Sequence, residues 1–434
     1  MKLLIEKAIY GGNCLAHQTQ GNDAGKAVFV PFTLPGELVE ARLLERRNSF
    51  GEASLVEVLT ASNDRVVPRC SHFGQCGGCN YQHAIDTAQL RIKTGILLET
   101  LERAGLTSLP PIQRHSGEPW HYRNRTRLRI EEIEGAFRLG YNRRASNEFL
   151  PIHECPIIAS LLWRSAEALL ELTTENTLIR RWFHNALEVE LFTTGDEKSL
   201  QISIFLKNQQ PGIAAFAERM QKHIPELTGA SAFLLPSAAN QRRARSSKLL
   251  ETWGAPGLNY RIADEAYWVH NGGFFQVNRF LIDELVRIAT TERRGAIAWD
   301  LYAGAGLFSK VLARSFQQVI AVEAAPSDLS RSFTGQGRRA MQSTTLEFLR
   351  QAVIQRDRPQ LIVMDPPRAG LGAEVCALLA RVAAPEMVYI SCDPVTLGRD
   401  LKALTSAGYK ITELHMVDMF PQTFHLETVA VLRK

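Results

Sequence analysis

Asp300-Leu301-Tyr302-Ala303-Gly304-Ala305-Gly306 is the stretch that decides the fold class of this chain. The apolar residues 296–301 predict a strand, the two glycines a tight turn, and the residues after them a helix. Glycines in such a turn let the backbone approach a ligand at the carboxyl edge of an open α/β sheet. The loop lacks the third glycine of the dinucleotide fingerprint, which argues against a pyrophosphate cofactor. Further strands are expected at residues 319–322, 361–364 and 387–390. Glu323 ends the first of them, where such folds place an acid on ribose hydroxyls. An amphipathic helix bearing Phe280, Leu281, Leu285 and Ile288 precedes the sheet. Residues 411–419 and 426–432 read as an antiparallel pair that closes it.

Two further loops at the same sheet edge carry chemistry. Asp365-Pro366-Pro367-Arg368 follows the strand at 361–364, and Tyr389-Ile390-Ser391-Cys392-Asp393-Pro394 follows the one at 387–390. With the acid at Glu323 the glycine turn suits S-adenosylmethionine, a nucleoside cofactor without phosphates. Amino-directed methyltransferases close the motif corresponding to the first loop with an aromatic residue that stacks on the base, and Arg368 here argues against an adenine or cytosine amino group as methyl acceptor. The second supplies a thiol. Uracil C5 is too poor a nucleophile to attack a methylsulfonium directly. Thiolate addition at C6 makes the ring an enolate whose C5 attacks, and a base must then remove the C5 proton. Glu427, in Phe420-Pro421-Gln422-Thr423-Phe424-His425-Leu426-Glu427, is the available base.

The remainder of the chain reads as two further domains. With 434 residues, 45% of them hydrophobic, it can bury more than one core. Residues 1–62 alternate short strands with Gly, Asn and Pro turns, including Leu34-Pro35-Gly36-Glu37, and suit a small five-stranded barrel. A helix is expected from 86 to 104 with Leu90, Thr94, Leu97, Leu98 and Leu101 on one face. Residues 63–268 form a central α+β domain, and 269–434 the α/β domain.

Arg123, Arg125, Arg127 and Arg129 recur with period two. On a strand they project from one face, as phosphate contacts or as charges decorating a solvated edge. Arg242, Arg243 and Arg245 form a second basic cluster, read as a loop. The formal charge of +5 fits an anionic partner without demanding one.

The seven cysteines are unevenly spread. Cys14 and Cys376 read as buried. Cys70-x5-Cys76-x2-Cys79, with Cys155 in His153-Glu154-Cys155-Pro156, has the spacing of a zinc site or an iron–sulfur cluster. The first residues meet charge before any apolar core forms, and no stretch approaches a membrane span. A cytoplasmic, reducing setting is therefore expected, in which clustered cysteines favour metal binding or catalysis over disulfides.

Phe274-Phe275-Gln276-Val277-Asn278, Asp300 to Gly306, Asp365 to Arg368, Ser391 to Pro394 and Phe420 to Glu427 stand in the order of the RNA uracil-C5 methyltransferases. The chain resembles that family over nearly its whole length, and most of all its 23S ribosomal RNA members. The resemblance implies a Rossmann-like class I S-adenosylmethionine domain and an amino-terminal OB-fold barrel of the TRAM type that binds RNA; the sequence makes no obligate protein partner evident. It implies Cys392 as nucleophile, Glu427 as proton acceptor and Arg368 as a residue holding the site together. Gln276, Asp300, Tyr302, Gly304, Glu323 and Asp365 would surround S-adenosylmethionine. Cys70, Cys76, Cys79 and Cys155 would hold a 4Fe-4S cluster. Thr344 and Thr345 stand where relatives often carry an acid or amide near the adenine. Rival readings are the same chemistry on tRNA, a catalytically dead RNA-binding or assembly factor, and cytosine-C5 methylation.

Overall fold

In a computed structural model, residues 1–18, 24–236, 247–325 and 329–434 are described. The amino end is a closed barrel of β1 (Lys2–Ala8), β2 (Asn13–His17), β3 (Ala27–Pro31), β4 (Leu38–Arg46) and β5 (Phe50–Thr60), in the order β1-β2-β3-β5-β4. Leu3, Ile5, Ala16, Val28, Val30, Val39 and Ala41 fill its interior, as alternation along each strand requires. Closure leaves no free strand edge.

Next come α1 (Asp86–Arg103) and β6 (Ile112–His115). The middle of the chain then forms β7 (Arg125–Ile133), β8 (Ala136–Asn142), β9 (Phe149–Pro151), α2 (Ser160–Glu175), α3 (Thr177–Asn185), β10 (Ala186–Thr193), β11 (Leu200–Leu206), α4 (Ile213–Gln221), β12 (Leu227–Leu234) and β13 (Lys248–Gly254). Its seven strands run β13-β12-β11-β10-β7-β8-β9. Leu162, Leu169, Trp182 and Phe216 of the helices share a core with Leu191, Ile202 and Ile204 of the strands.

A hairpin, β14 (Gly257–Ile262) and β15 (Glu265–His270), leads to the last layer. That layer comprises α5 (Ile282–Thr290), β16 (Gly295–Leu301), α6 (Ser309–Leu312), β17 (Phe316–Glu323), α7 (Leu329–Ser332), β18 (Arg338–Gln342), α8 (Thr345–Gln355), β19 (Leu361–Met364), α9 (Gly372–Val382), β20 (Glu386–Ser391), α10 (Pro394–Ser406), β21 (Lys410–Val417) and β22 (Glu427–Arg433). The sheet order is β18-β17-β16-β19-β20-β22-β21-β6. β18 through β20 are parallel neighbours, and β22 runs antiparallel to β20 and β21. Their apolar residues are buried on both faces, as parallel strands covered by helices demand. No helix among the described residues is long and apolar enough to cross a membrane.

Several sequence expectations change here. The pair β21–β22 does not close the sheet, because β6 adds beyond β21 in parallel register, Leu414 beside Ile112. Phe280 lies outside α5 and is exposed, since the helix starts only at Ile282. On α1 the buried residues are Ala88, Gln89, Lys93, Ile96, Leu97 and Leu101, while Leu98 faces outward. The covered stripe is turned toward Gln89 and Lys93, because polar partners on another loop await both. The arginine strand is no edge, for β7 lies between β10 and β8. Arg242, Arg243 and Arg245 lie outside the described residues.

Candidate active site

Three loops at the carboxyl edge of the last sheet converge. β20 and β22 pair up to Ser391 and Thr428, so Cys392 and Glu427 sit side by side one position beyond. β19 neighbours β20, which brings Asp365 to the same edge. Cys392 is partly exposed, whereas Glu427 is buried. Burial pushes the Cys392 thiol up to about 11, the carboxylates of Glu427 and Asp365 push the same way, and the Arg368 guanidinium opposes them. Burial, followed by the charge of Asp365, holds Glu427 well above the usual carboxylate range, and Arg368 again opposes. Asp365 is also raised, by burial and then by Asp300, against a bond from Gln276. Two neighbouring acids beside a thiol favour proton retention over full ionisation.

The cysteine loop is held by the start of α10. Asp393 caps that helix, accepting from the N–H of Val395 at 3.0 Å and of Thr396 at 2.9 Å, with Pro394 in the first turn, where no N–H is missed. The same helix grips the Arg368 loop. Thr396 Oγ1 donates to Arg368 O at 3.0 Å, Arg399 Nη2 to Ala369 O at 2.8 Å, and Leu371 N to Asp400 Oδ2 at 2.7 Å. Asp400 Oδ2 also accepts from Tyr389 Oη at 2.8 Å. Arg368 Nη2 reaches His425 Nδ1 at 3.1 Å. Burial, and then the charge of Arg368, lowers His425 to about 4, so at neutral pH the ring is uncharged and can accept from the guanidinium. The barrel also reaches this edge. Tyr10 Oη donates to Asp393 Oδ2 at 3.3 Å, and its ring meets Phe424 edge-on at 5.5 Å between centroids.

The glycine turn lies alongside. Gly304 N donates to Glu323 Oε2 at 2.8 Å. Gly304 has a positive φ of 54° and no atom within 4 Å of where a Cβ would stand, so open space lies above the turn. Tyr302 adopts φ 65° at the strand's end, a strained choice for a non-glycine residue at a ligand-facing edge. Asp300 is wholly buried and raised to about 7, chiefly by burial. Its Oδ2 accepts from Ser309 N at 2.8 Å and from Ser309 Oγ, so it braces the turn from beneath. Gln276 Nε2 donates to Asp365 Oδ2 at 3.4 Å. Thr344 caps α8 in a capping box with Glu347.

Cys70, Cys76, Cys79 and Cys155 border one cavity of about 580 Å³, together with Arg123, Arg127, Arg129 and Tyr141. Burial raises Cys79 to about 12 against a bond with Gln82, and burial followed by the charge of Cys76 raises Cys155 to about 11. Among the described residues no three His, Cys, Asp or Glu groups form a site for one metal ion; the four cysteines line this cavity among other residues. The arginine row is largely engaged. Arg127 pairs with Glu188 and covers the Phe205 ring, while half-buried Arg125 lies over Phe192 at 3.9 Å and donates to Gly273 O.

Comparison with known proteins bears on this geometry. Residues 330–434 match the family model described as tRNA (Uracil-5-)-methyltransferase. A 23S rRNA (uracil(1939)-C(5))-methyltransferase of Halomonas elongata is 31% identical over 99% of this chain and 89% of its own. An uncharacterized RNA methyltransferase of Halalkalibacterium halodurans is 30% identical, over 94% and 92%. The chain belongs to the RNA uracil-C5 methyltransferase family. In fold it resembles the Pyrococcus abyssi tRNA (uracil-54, C5)-methyltransferase solved with S-adenosyl-L-homocysteine, at 22% identity, full coverage of both chains and a TM-score of 0.74.

In this methyltransferase the expected residues Cys392, Glu427, Asp365, Arg368 and Gln276 share one edge, with Tyr302, Gly304 and Glu323 at the adjoining turn. Asp300 lies beneath the turn, its Oδ2 bonded to Ser309 and its charge felt by Asp365. Sequence reading missed Tyr10, His425, Asp400 and the buried Lys93. His425 lay inside a quoted motif and Asp400 on the helix that follows one, whereas Tyr10 and Lys93 are hundreds of residues from the site and gave no signal.

Proposed function

We propose that this enzyme transfers a methyl group from S-adenosylmethionine to C5 of a uridine in 23S rRNA, through a covalent adduct on Cys392. The observation that carries this reading is the juxtaposition of a partly exposed thiol, Cys392, with a buried carboxyl, Glu427, across β20 and β22. The Cys392 thiolate adds to C6 of the uracil, and the electron pair of the C5–C6 double bond moves onto the ring as an enolate. C5 takes the methyl group from S-adenosylmethionine as the donor's sulfur–methyl bond breaks and S-adenosylhomocysteine leaves. Glu427 takes the C5 proton, the C5–C6 double bond re-forms, and the C6–sulfur bond breaks to return the thiolate. Arg368 opposes the charge that accumulates beside the thiol. Protonation of Glu427 at the end leaves it in the form its buried setting favours.

The open space above Gly304 and the acid at Glu323 suit a nucleoside with ribose hydroxyls. Tyr302 and Gln276 would flank it, and Asp365 would face its reactive end. Four thiols around one space fit a polynuclear centre, and we propose a 4Fe-4S cluster held by Cys70, Cys76, Cys79 and Cys155. Its positive core would offset the mutual repulsion of four thiolates, and it would fasten the segment 70–79 to the strand region at Cys155. The division into residues 1–62, 63–268 and 269–434 is proposed as one of roles: RNA-gripping barrel, cysteine-bearing middle and catalytic layer. The Halomonas relative favours rRNA over tRNA.

The test is labelled methyl transfer to unmodified 23S rRNA and to unmodified tRNA, each digested to nucleosides. Labelled 5-methyluridine from rRNA alone, lost in Cys392→Ala, is expected. Product from tRNA alone would keep the chemistry and replace the substrate. No product from either, with anaerobically prepared protein, would leave an RNA-binding factor.

A further inference from the structure

The loop between β21 and β22 carries Phe424, His425 and, at its end, Glu427. Its midpoint is Gln422, 1% exposed and with a positive φ of 67°. Both its backbone groups and both polar atoms of its side chain are bonded. Its carbonyl accepts two consecutive amides, Asn80 N at 2.9 Å and Tyr81 N at 3.0 Å. Its own N–H donates to Gln89 Oε1 at 3.0 Å. Its side chain accepts from Gln89 Nε2 at 2.9 Å and donates to Asp86 Oδ1 at 3.1 Å. Asn80 directly follows Cys79, and its side-chain oxygen accepts from Phe424 N at 3.5 Å. Gln89 and Asp86 belong to α1. One residue thus joins the loop that ends in Glu427 to the cysteine-bearing segment and to the helix beneath it.

We propose that Gln422 is a positioning residue for Glu427, fixing the loop so that the carboxyl meets the C5 proton of a uracil already bonded to Cys392. A side chain bonded at every polar atom in a buried site has a single orientation, because any other leaves a buried donor or acceptor unpaired. A positive φ at a non-glycine residue persists only where the surroundings enforce it. The proposal rests on the reading above, in which Glu427 removes that proton.

Gln422→Glu tests it, since the exchange keeps the shape but turns the donor facing Asp86 into an acceptor. Pairing it with Asp86→Asn restores the bond with donor and acceptor exchanged. The expected outcome has three parts. Gln422→Glu lowers kcat by roughly 10-fold to 100-fold, as small misplacements of a catalytic group do, with KM for S-adenosylmethionine unchanged. It accumulates a covalent protein–RNA adduct on ordinary uridine-containing RNA, visible on a denaturing gel, because addition proceeds while release waits for the base. The paired exchange recovers turnover and clears the adduct. Gln422→Ala, which leaves Gln89 and Asp86 short of a partner, gives the same adduct should Gln422→Glu fold poorly. Loss of activity without adduct in both variants, or wild-type turnover in either, overturns the proposal. Glu427→Gln is run alongside: if it forms no adduct on uridine RNA, the assignment of Glu427 is what has failed.

Discussion

Cys392 presents the sharpest chemical question, because its surroundings suppress the form that reacts. The thiolate is the nucleophile, yet burial and the carboxylates of Glu427 and Asp365 push the thiol up to about 11. The sign follows directly: a raised thiol pKa means less thiolate at neutral pH, and reactivity that grows with pH until the pKa is passed. Alkylation of the free enzyme by iodoacetamide, followed at the Cys392 peptide by mass spectrometry, is therefore expected to speed up about tenfold per pH unit toward pH 11. Arg368→Met is expected to move that profile to higher pH, because the opposing positive charge is lost. Glu427→Gln moves it lower, because a negative charge is lost. A profile that levels off near neutral pH would mean the thiol is already activated before substrate arrives. Cys392, Asp365 and Arg368 stood out in the sequence because each sits in a short motif at the end of an apolar run, and Glu427 because it is the acid that opens the last one. The bond from Ser309 to Asp300 was not legible, because a motif does not reveal which neighbouring side chain its acid meets.

At the scale of an element, α1 shows where periodicity stops informing. Its leucine stripe predicted a helix at almost the observed bounds, but the face that is covered includes Lys93, which is fully buried. Lys93 Nζ bonds Asp418 Oδ1 at 2.6 Å and Phe420 O at 2.9 Å. A hydrophobic pattern counts a lysine as outward-facing, and its partner is 325 residues away. Removing one member of a buried ion pair strands the other. Lys93→Met alone is thus expected to cost about 3–5 kcal/mol in denaturant unfolding, and the double change Lys93→Met with Asp418→Leu to regain most of it. Equal losses for the single and double changes would mean that the pair contributes packing rather than charge compensation. The solvated-edge reading of the arginine row fails for the same reason. Period two was right for β7, but only the sheet order, with β10 and its glutamates alongside, shows that these guanidinium groups are mostly spoken for.

The whole molecule is interleaved in a way that chain order conceals. The catalytic layer is completed by segments from well upstream: β6 extends its sheet beyond β21, and α1 packs on α10. The barrel, α1 and one face of that sheet contribute to a single core, in which Leu97 and Leu101 meet Leu397, Leu401 and Leu404. A sequence read in order assigns a boundary near residue 269, because the regular α/β pattern begins there, and it holds no mark of strands borrowed from before it. A fragment of residues 269–434 would present the open edge of β21 and the uncovered leucines of α10. Each of those leucines gives up about 1.5–3 kcal/mol of burial, and a bare apolar edge strand invites pairing with other chains. That fragment is expected to aggregate or to show the exposed apolar surface of a loosely packed state by dye binding. Co-expression with residues 80–118, which carry α1 and β6, is expected to restore a cooperative thermal transition. A soluble, cooperatively folding 269–434 alone would mean that the upstream helix and strand are added to an already complete domain.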